Sequence, residues 1–211
     1  MPTSKDPYRL LVEGADDKHS VIQLLTRHDF NWDDSRIFIQ AAGGITQLLD
    51  GLQVLLKAPL DRIGIVVDAD ESLPNSWSRL RDRAARAELQ LPEAPVDTGT
   101  ILPGFHPGSR IGIWLMPDNS SPGNLENFLH KLVPEGDPTW TWADEAVREA
   151  RRLGARSKEI DHPKSRLHTW LAWQERPGIP FGIALQAQVF RHDSEDALRF
   201  VAWFKRLFVD I

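Results

Sequence analysis

Short apolar runs alternate along the chain with longer segments in which apolar residues recur at helical spacing. Runs of this length, bounded by turn or acidic residues, predict buried strands. The predicted strands are residues 8–12, 36–40, 62–67 and 110–116. Strands that are apolar throughout are typical of a parallel sheet with helices on both faces. The pattern therefore predicts an α/β fold with a parallel sheet of about four strands flanked by helices.

Helical spacing is clearest in residues 45–56, where leucine or isoleucine returns every three or four positions. The predicted helices are residues 16–27, 45–56, 76–89, 124–132, 142–153, 163–174 and 194–208. Residues 92–108 contain four prolines and three glycines and are expected to be irregular. Residues 177–188, between the last two helices, have room for a short strand.

The domain organisation follows from the same pattern. A length of 211 residues suits one sizeable domain, and no repeat or long linker divides the chain. The predicted strands all fall within residues 1–133, whereas residues 134–211 are predicted to be helical. We therefore expect a single domain, 1–211, in which a sheet core carries a helical C-terminal extension.

Composition narrows the classes of function. Hydrophobic residues make up 41% of the chain and charged residues 26%, which is close to the globular average. The formal net charge of −5 gives the protein no long-range attraction for nucleic acid, so such binding needs a local basic face or a bound metal. The absence of cysteine excludes disulfides, thiolate catalysis and zinc–sulfur sites.

The start of the chain lacks the basic and apolar regions of a secretory signal peptide. No apolar stretch is long enough to cross a bilayer. A cytoplasmic protein with no membrane partner is therefore expected.

Acidic residues collect where the predicted strands end. Glu13 follows the first strand, Asp68 and Asp70 follow the third, and Asp118 follows the fourth. Asp17, four residues after Glu13, can return to the same corner from the next helix. Ligands of open parallel sheets bind at the carboxyl ends of the strands. Because Asp68 and Asp70 alternate with one residue, both face the same way if the segment is extended.

Carboxylates at this density repel one another unless a cation lies between them. Mg²⁺ prefers oxygen ligands and keeps several waters, so a few carboxylates from separate loops suffice. Acidic residues after strands are also common for another reason, because they cap helices. Both interpretations are open for each residue alone, and the order and spacing of the whole set favour a metal site.

Two motifs resemble those of the Toprim family. The segment LVEGADDKHSVI at 11–22 looks like the first Toprim motif, and IGIVVDADES at 63–72 looks like its Asp-x-Asp motif. The chain is most similar to small uncharacterised bacterial Toprim-like proteins, related to the Toprim domains of overcoming-lysogenization-defect nucleases. That resemblance includes IGIWLMPDNSSPGNLENFL at 111–129 and, weakly, HTWLAWQERPG at 168–178.

The resemblance implies roles for individual residues. Glu13 matches the Toprim glutamate, which binds metal or acts as general acid or base. Asp68 and Asp70 match the paired metal-binding aspartates, and Asp17 matches a further acidic ligand of the related nucleases. Asp118 is a candidate metal ligand in the region where those nucleases place another carboxylate.

The resemblance extends less firmly to other positions. Glu126 shares the region of Asp118, and Gly43 or Gly44 matches a glycine turn after the second strand. Topoisomerases of this class need a catalytic tyrosine, but Tyr8 lies within the first predicted strand. Topoisomerase activity is therefore not expected.

Basic residues offer weaker candidates. Lys164 stands at the start of a predicted helix, where it could neutralise charge on a scissile phosphate. Lys158 is a similar candidate, and a solvated face is the alternative for both. The arginine-rich helix at 79–86 suits either phosphate binding or surface ion pairs, because Asp82 interrupts it.

The sequence thus predicts a Mg²⁺- or Mn²⁺-dependent phosphodiesterase, a nuclease acting on DNA or RNA. Two ions roughly 4 Å apart would flank the reacting phosphate, with Glu13 and Lys164 as the catalytic residues. The alternative is a subunit of a bacterial phage-defence system that depends on a partner ATPase. A third interpretation is an inactive scaffold, and a homodimer is left open.

Overall fold

The computed structural model describes residues 5–210. Its strands are β1 (Tyr8–Val12), β2 (Ile37–Ala41), β3 (Arg62–Asp68), β4 (Thr100–Pro103) and β5 (Arg110–Met116). Its helices are α1 (Ala15–Thr26), α2 (Ile45–Leu56), α3 (Leu73–Arg86), α4 (Leu125–His130), α5 (Pro138–Arg152), α6 (His162–Ala172), α7 (Phe181–Gln186) and α8 (Glu195–Phe208).

The strands form one sheet in the order β2-β1-β3-β5-β4. The β1, β2, β3 and β5 strands run parallel, and β4 pairs antiparallel with β5. The predicted α/β fold with a mostly parallel sheet between helices is confirmed. Because the four parallel strands point the same way, the residues that follow β1 and β3 meet at one edge of the sheet.

Two local predictions are wrong. Residues 92–108 are not wholly irregular, because Thr100–Pro103 forms β4 on the edge of the sheet. The proline at its end is tolerated because an edge strand does not need every N–H for pairing. Residues 177–188 contain a helix, α7, rather than a strand. The side chains of Phe181, Ala184 and Leu185 are buried at helical spacing, so packing decides this element.

Helices cover both faces of the sheet. On one face, leucines of α2 and α3 pack against β3 and β5. On the other face, α1 and α8 join β1, β3 and β5 in a core that also includes α4 to α7. The helical C-terminal segment is therefore part of the same core as the parallel strands.

The α8 helix approaches the sheet closely through two glycines. Gly64 of β3 and Gly112 of β5 are register partners. A Cβ atom at Gly112 would lie 2.4 Å from Cδ2 of Leu207, and one at Gly64 would lie 2.9 Å from Phe208. These contacts explain why two small residues occupy the centre of the sheet.

The helices are short in comparison with the thickness of a bilayer. The longest, α5, has 15 residues, whereas a spanning helix needs about 20 apolar residues. Among residues 5–210, no helix is long and apolar enough to cross a membrane.

Candidate functional site

A cleft of about 540 Å³ opens at the carboxyl ends of β1 and β3. We call it the acidic cleft, because Glu13, Asp17, Asp68 and Glu126 line it together with Lys164. The carboxylates come from two strand ends and from the first turns of α1 and α4. Residues distant in sequence thus meet at the edge where parallel sheets bind ligands.

Glu13 is held in place by the neighbouring strands. Its Oε1 accepts the backbone N–H of Asp68 at 2.8 Å, which joins the ends of β1 and β3. The N–H groups of Gly43 and Gly44 donate to the Glu13 carbonyl at 3.0 and 2.9 Å. Both glycines have positive φ, 90° and 122°, so this turn requires residues without a Cβ.

Asp17 and Asp68 also accept backbone hydrogen bonds. Asp17 Oδ2 accepts the N–H of Gly14 at 3.0 Å at the start of α1. Asp68 Oδ1 accepts the N–H of Leu125 at 3.1 Å and so caps the start of α4. Each contact uses one oxygen, and a carboxylate offers about four lone-pair positions in all. Capacity for a further ligand therefore remains.

Glu126 and Lys164 connect the carboxylates to the C-terminal helices. The Lys164 Nζ lies 3.4 Å from Glu126 Oε1. The start of α6, which carries Lys164, is anchored by His130, whose Nε2 donates to the Pro163 carbonyl at 2.9 Å. Helix α5 adds a hydrogen bond, because His162 Nε2 lies 2.6 Å from Asp144 Oδ1 and donates to it. The lysine is exposed, but its backbone is fixed.

Three carboxylates in the cleft, those of Glu13, Asp17 and Asp68, hold protons more tightly than usual. Burial raises the pKa of Asp68 to about 9, and the charges of Glu13, Asp17, Glu126 and Asp70 act in the same direction. Burial likewise raises the pKa of Glu13 to about 7 and that of Asp17 to about 6. At neutral pH this cluster cannot be fully ionised unless a cation compensates the charge.

The chain is similar to one family of known proteins. Residues 7–209 match the family model described as "Protein of unknown function (DUF3226)". The chain belongs to the DUF3226 family. A glycogen synthase of Thioalkalivibrio sulfidiphilus (strain HL-EbGR7) is 38% identical over 76 residues, which cover 28% of this chain. The chain spans only 16% of that relative's length. No solved structure matches the chain.

In this DUF3226 protein, Asp70 does not line the acidic cleft beside Asp68. Asp70 has a positive φ of 53°, so the segment is not extended and the expectation that both carboxylates face the same way is wrong. Its Oδ2 instead accepts a hydrogen bond from Arg79 Nη2 at 3.1 Å. A two-way backbone bridge to Gly123 fixes this conformation.

Asp70 and Arg79 line a second cleft of about 890 Å³ next to the first. We call it the amide cleft, because the asparagines 75, 124 and 127 also line it. Asn124, Ile160 and Pro163 border both clefts. The two clefts of the DUF3226 protein are therefore neighbours that share a wall.

The structure separates Asp118 from the other predicted ligands. Its Oδ1 accepts the N–H groups of Ser120 and Ser121, and its Oδ2 lies 2.6 Å from Lys131 Nζ. Burial alone would raise the pKa of Asp118, but Lys131 and these N–H groups outweigh it and hold the pKa well below its usual range. This carboxylate holds the loop after β5 to α4 and does not reach the acidic cleft.

The donor set can be tested against a divalent cation. Within the described residues, no three Asp, Glu or His side chains are placed closely enough to chelate an ion directly. Oxygen donors with raised pKa values nevertheless fit a hard cation, since its charge would favour their ionised forms. Mg²⁺ is commonly held by one or two carboxylates and several waters. Asp17, Asp68 and Glu126 would hold it in this way, one or two of them directly and the rest through its waters, with Glu13 beside them.

Two residues carry more weight in the structure than in the sequence. The sequence indicates Glu126 only weakly as a site residue, because its neighbours in the cleft come from segments far away in the chain. Arg79 was one of several arginines in a charged helix, but it alone of that run pairs with Asp70, whereas Arg83 pairs with Asp50. Lys158 does not line either cleft.

Proposed function

We propose that this protein is a metal-dependent phosphodiesterase of the Toprim type, a nuclease that acts on DNA or RNA in the cytoplasm. The supporting observation is the meeting of Glu13, Asp17, Asp68 and Glu126 with Lys164 in one cleft at the carboxyl edge of a parallel sheet. Mg²⁺ or Mn²⁺ is the cation that this oxygen donor set would take.

The carboxylates would have different roles. Asp17, Asp68 and Glu126 would hold the cation, and Glu13 lies beside them. A bound divalent cation would stabilise the negative charge that develops on the phosphoryl group. Burial raises the pKa of Glu13 above its ordinary value in the metal-free protein, which makes its carboxylate a stronger base toward the attacking water. Since Oε1 accepts the Asp68 N–H, Oε2 is the atom that would take the proton.

Lys164 would meet the substrate from α6. Its Nζ lies 3.4 Å from Glu126 Oε1, and its side chain is 58% exposed. An ammonium group in this position can stabilise charge on a phosphate oxygen. The contact with Glu126 keeps the side chain turned toward the carboxylates when no substrate is present.

Glu13→Gln tests the proposal directly, because glutamine keeps the size of the side chain but cannot accept the proton. Cleavage of DNA, RNA or bis(p-nitrophenyl) phosphate with Mn²⁺ should fall by about a hundredfold or more. Far-UV circular dichroism should be unchanged. The matched control is Glu145→Gln, which neutralises an exposed glutamate on α5 and should keep full activity.

Three outcomes would contradict the proposal or change it. Equal cleavage by wild-type protein and Glu13→Gln would mean that the activity lies elsewhere. Absence of cleavage for all three substrates would refute the phosphodiesterase function. Cleavage of DNA only after addition of a partner ATPase would instead support the effector subunit of a defence system.

A further inference from the structure

The amide cleft has the size and position of a ligand site. Its volume of about 890 Å³ lies in the range of small-molecule pockets, roughly 300–1,000 Å³. It shares Asn124, Ile160 and Pro163 with the acidic cleft. A molecule that extends from one cleft into the other would place one end at the carboxylates and the other end among the amides.

The lining of the amide cleft suits a nucleoside. Ile160 is 58% exposed at the shared wall, where it offers an apolar surface to a base together with Pro122 and Pro163. The exposed amide of Asn75 can both donate to and accept from the edge of a base. Arg79 lies beside Asp70 in the lining and adds a cation for one phosphate.

The charges of the two clefts argue against a long polymer. Nine carboxylates line them, whereas Arg79 and Lys164 are the only lysine or arginine side chains in either lining among the described residues. Proteins that track a nucleic-acid backbone commonly neutralise about 6–10 phosphates with basic residues. Two cations can serve one or two phosphates.

We infer that the substrate is a small nucleotide phosphodiester whose nucleoside lies in the amide cleft while its phosphate meets the acidic cleft. This inference rests on the proposed phosphodiesterase function, and it assigns a short nucleotide, rather than a DNA or RNA polymer, as the substrate. A short substrate needs no basic groove, which agrees with the net charge of −5.

Two esters with the same leaving group test the inference. p-Nitrophenyl thymidine 5′-phosphate carries a nucleoside, and bis(p-nitrophenyl) phosphate does not. The wild-type protein with Mn²⁺ should prefer the nucleoside ester by about tenfold in kcat/KM, which corresponds to about 1.4 kcal/mol. Asn75→Ala should remove most of this preference. Arg81→Ala, which changes an exposed arginine of α3 outside both clefts, should keep it.

Binding gives a readout that does not depend on turnover. Calorimetry with Ca²⁺ should detect thymidine 5′-monophosphate, and Asn75→Ala should weaken that binding while Arg81→Ala does not. A long oligothymidylate should bind only slightly more tightly than thymidine 5′-monophosphate. The slope of log K against log salt concentration should be about −1.4, as expected for two phosphate contacts. A slope of about −4 or steeper would indicate a polymer groove and overturn the inference.

The two proposals can fail separately. Equal kcat/KM for the two esters would refute the amide cleft as a nucleoside site and leave the phosphodiesterase function standing. Nucleotide binding that depends on Asn75, with neither ester hydrolysed, would refute the phosphodiesterase function and leave the nucleoside site standing. Absence of both nucleotide binding and ester hydrolysis in the wild-type protein would refute both proposals.

Discussion

Asp68 and Asp118 are aspartates with little exposure at the ends of neighbouring strands, yet their surroundings act on them in opposite directions. Burial and nearby carboxylates raise the pKa of Asp68 to about 9. Asp118 is buried too, but Lys131 and two backbone N–H groups hold its pKa well below the usual range. The first charge is costly in the folded protein, and the second contributes to stability.

Replacement by asparagine should therefore change stability with opposite signs. At pH 8 without divalent cations, Asp68→Asn should raise the free energy of unfolding, because the folded protein must keep Asp68 protonated at a pH where the unfolded chain ionises it. Asp118→Asn should lower it by about 1.5 kcal/mol, because Lys131 loses its charged partner but is partly solvated. Urea denaturation measures both, and each variant serves as the control for the other.

The same prediction extends to pH. The unfolded chain releases the Asp68 proton near pH 4, whereas the folded protein keeps it until about pH 9. The stability from this group is therefore complete below pH 4 and is lost as pH rises toward 9. Asp68→Asn should flatten this decline, and Mn²⁺ should oppose it by binding the folded protein. Metal-free stability that rises across this window would contradict the assignment.

Single residues also show how far the sequence could lead. Glu13, Asp17 and Asp68 were predictable because strand ends and helix starts are local features. The true partner of Asp118, Lys131, directly follows α4, and no spacing rule points to it. The positive φ of Asp70 depends on its bridge to Gly123, a contact between loops that only the folded chain makes.

At the scale of elements, the contact between α8 and the sheet depends on Gly64 and Gly112. Gly112→Ala should destabilise the protein by about 1–3 kcal/mol, because the new methyl group would overlap Leu207 and push the helix outward. Gly51→Ala is the matched control, since Gly51 lies on the exposed face of α2 with nothing within 4 Å of a new Cβ. That change should stabilise by about 0.5–1 kcal/mol. Denaturant midpoints measure both, and equal effects would refute the close packing of α8.

The elements that sequence reasoning missed were short ones. The β4 strand has four residues and exists because β5 offers it an edge. The α7 helix has six residues, and its burial against α1 decides its form. The longer elements were predictable from the sequence, because the apolar periodicity of α2 or α8 extends over several turns.

At the scale of the molecule, the C-terminal helices and the parallel strands share one core. Trp114 of β5, Trp170 of α6 and Trp203 of α8 are all buried in it. Tryptophan fluorescence and far-UV circular dichroism should therefore report a single, coincident unfolding transition in urea. An earlier fluorescence transition, with the strand signal retained, would mean that residues 134–210 form a separate unit.

The position of α8 has a consequence for how the protein is made in the cell. Translation delivers β1, β3 and β5 first, and the helix that covers the middle of the sheet becomes available only when Phe208 has left the ribosome. Until then, the apolar face that surrounds Gly64 and Gly112 stays open to water. Exposed apolar surface of this kind promotes aggregation and recruits chaperones. We therefore expect the nascent chain to bind chaperones until α8 has emerged.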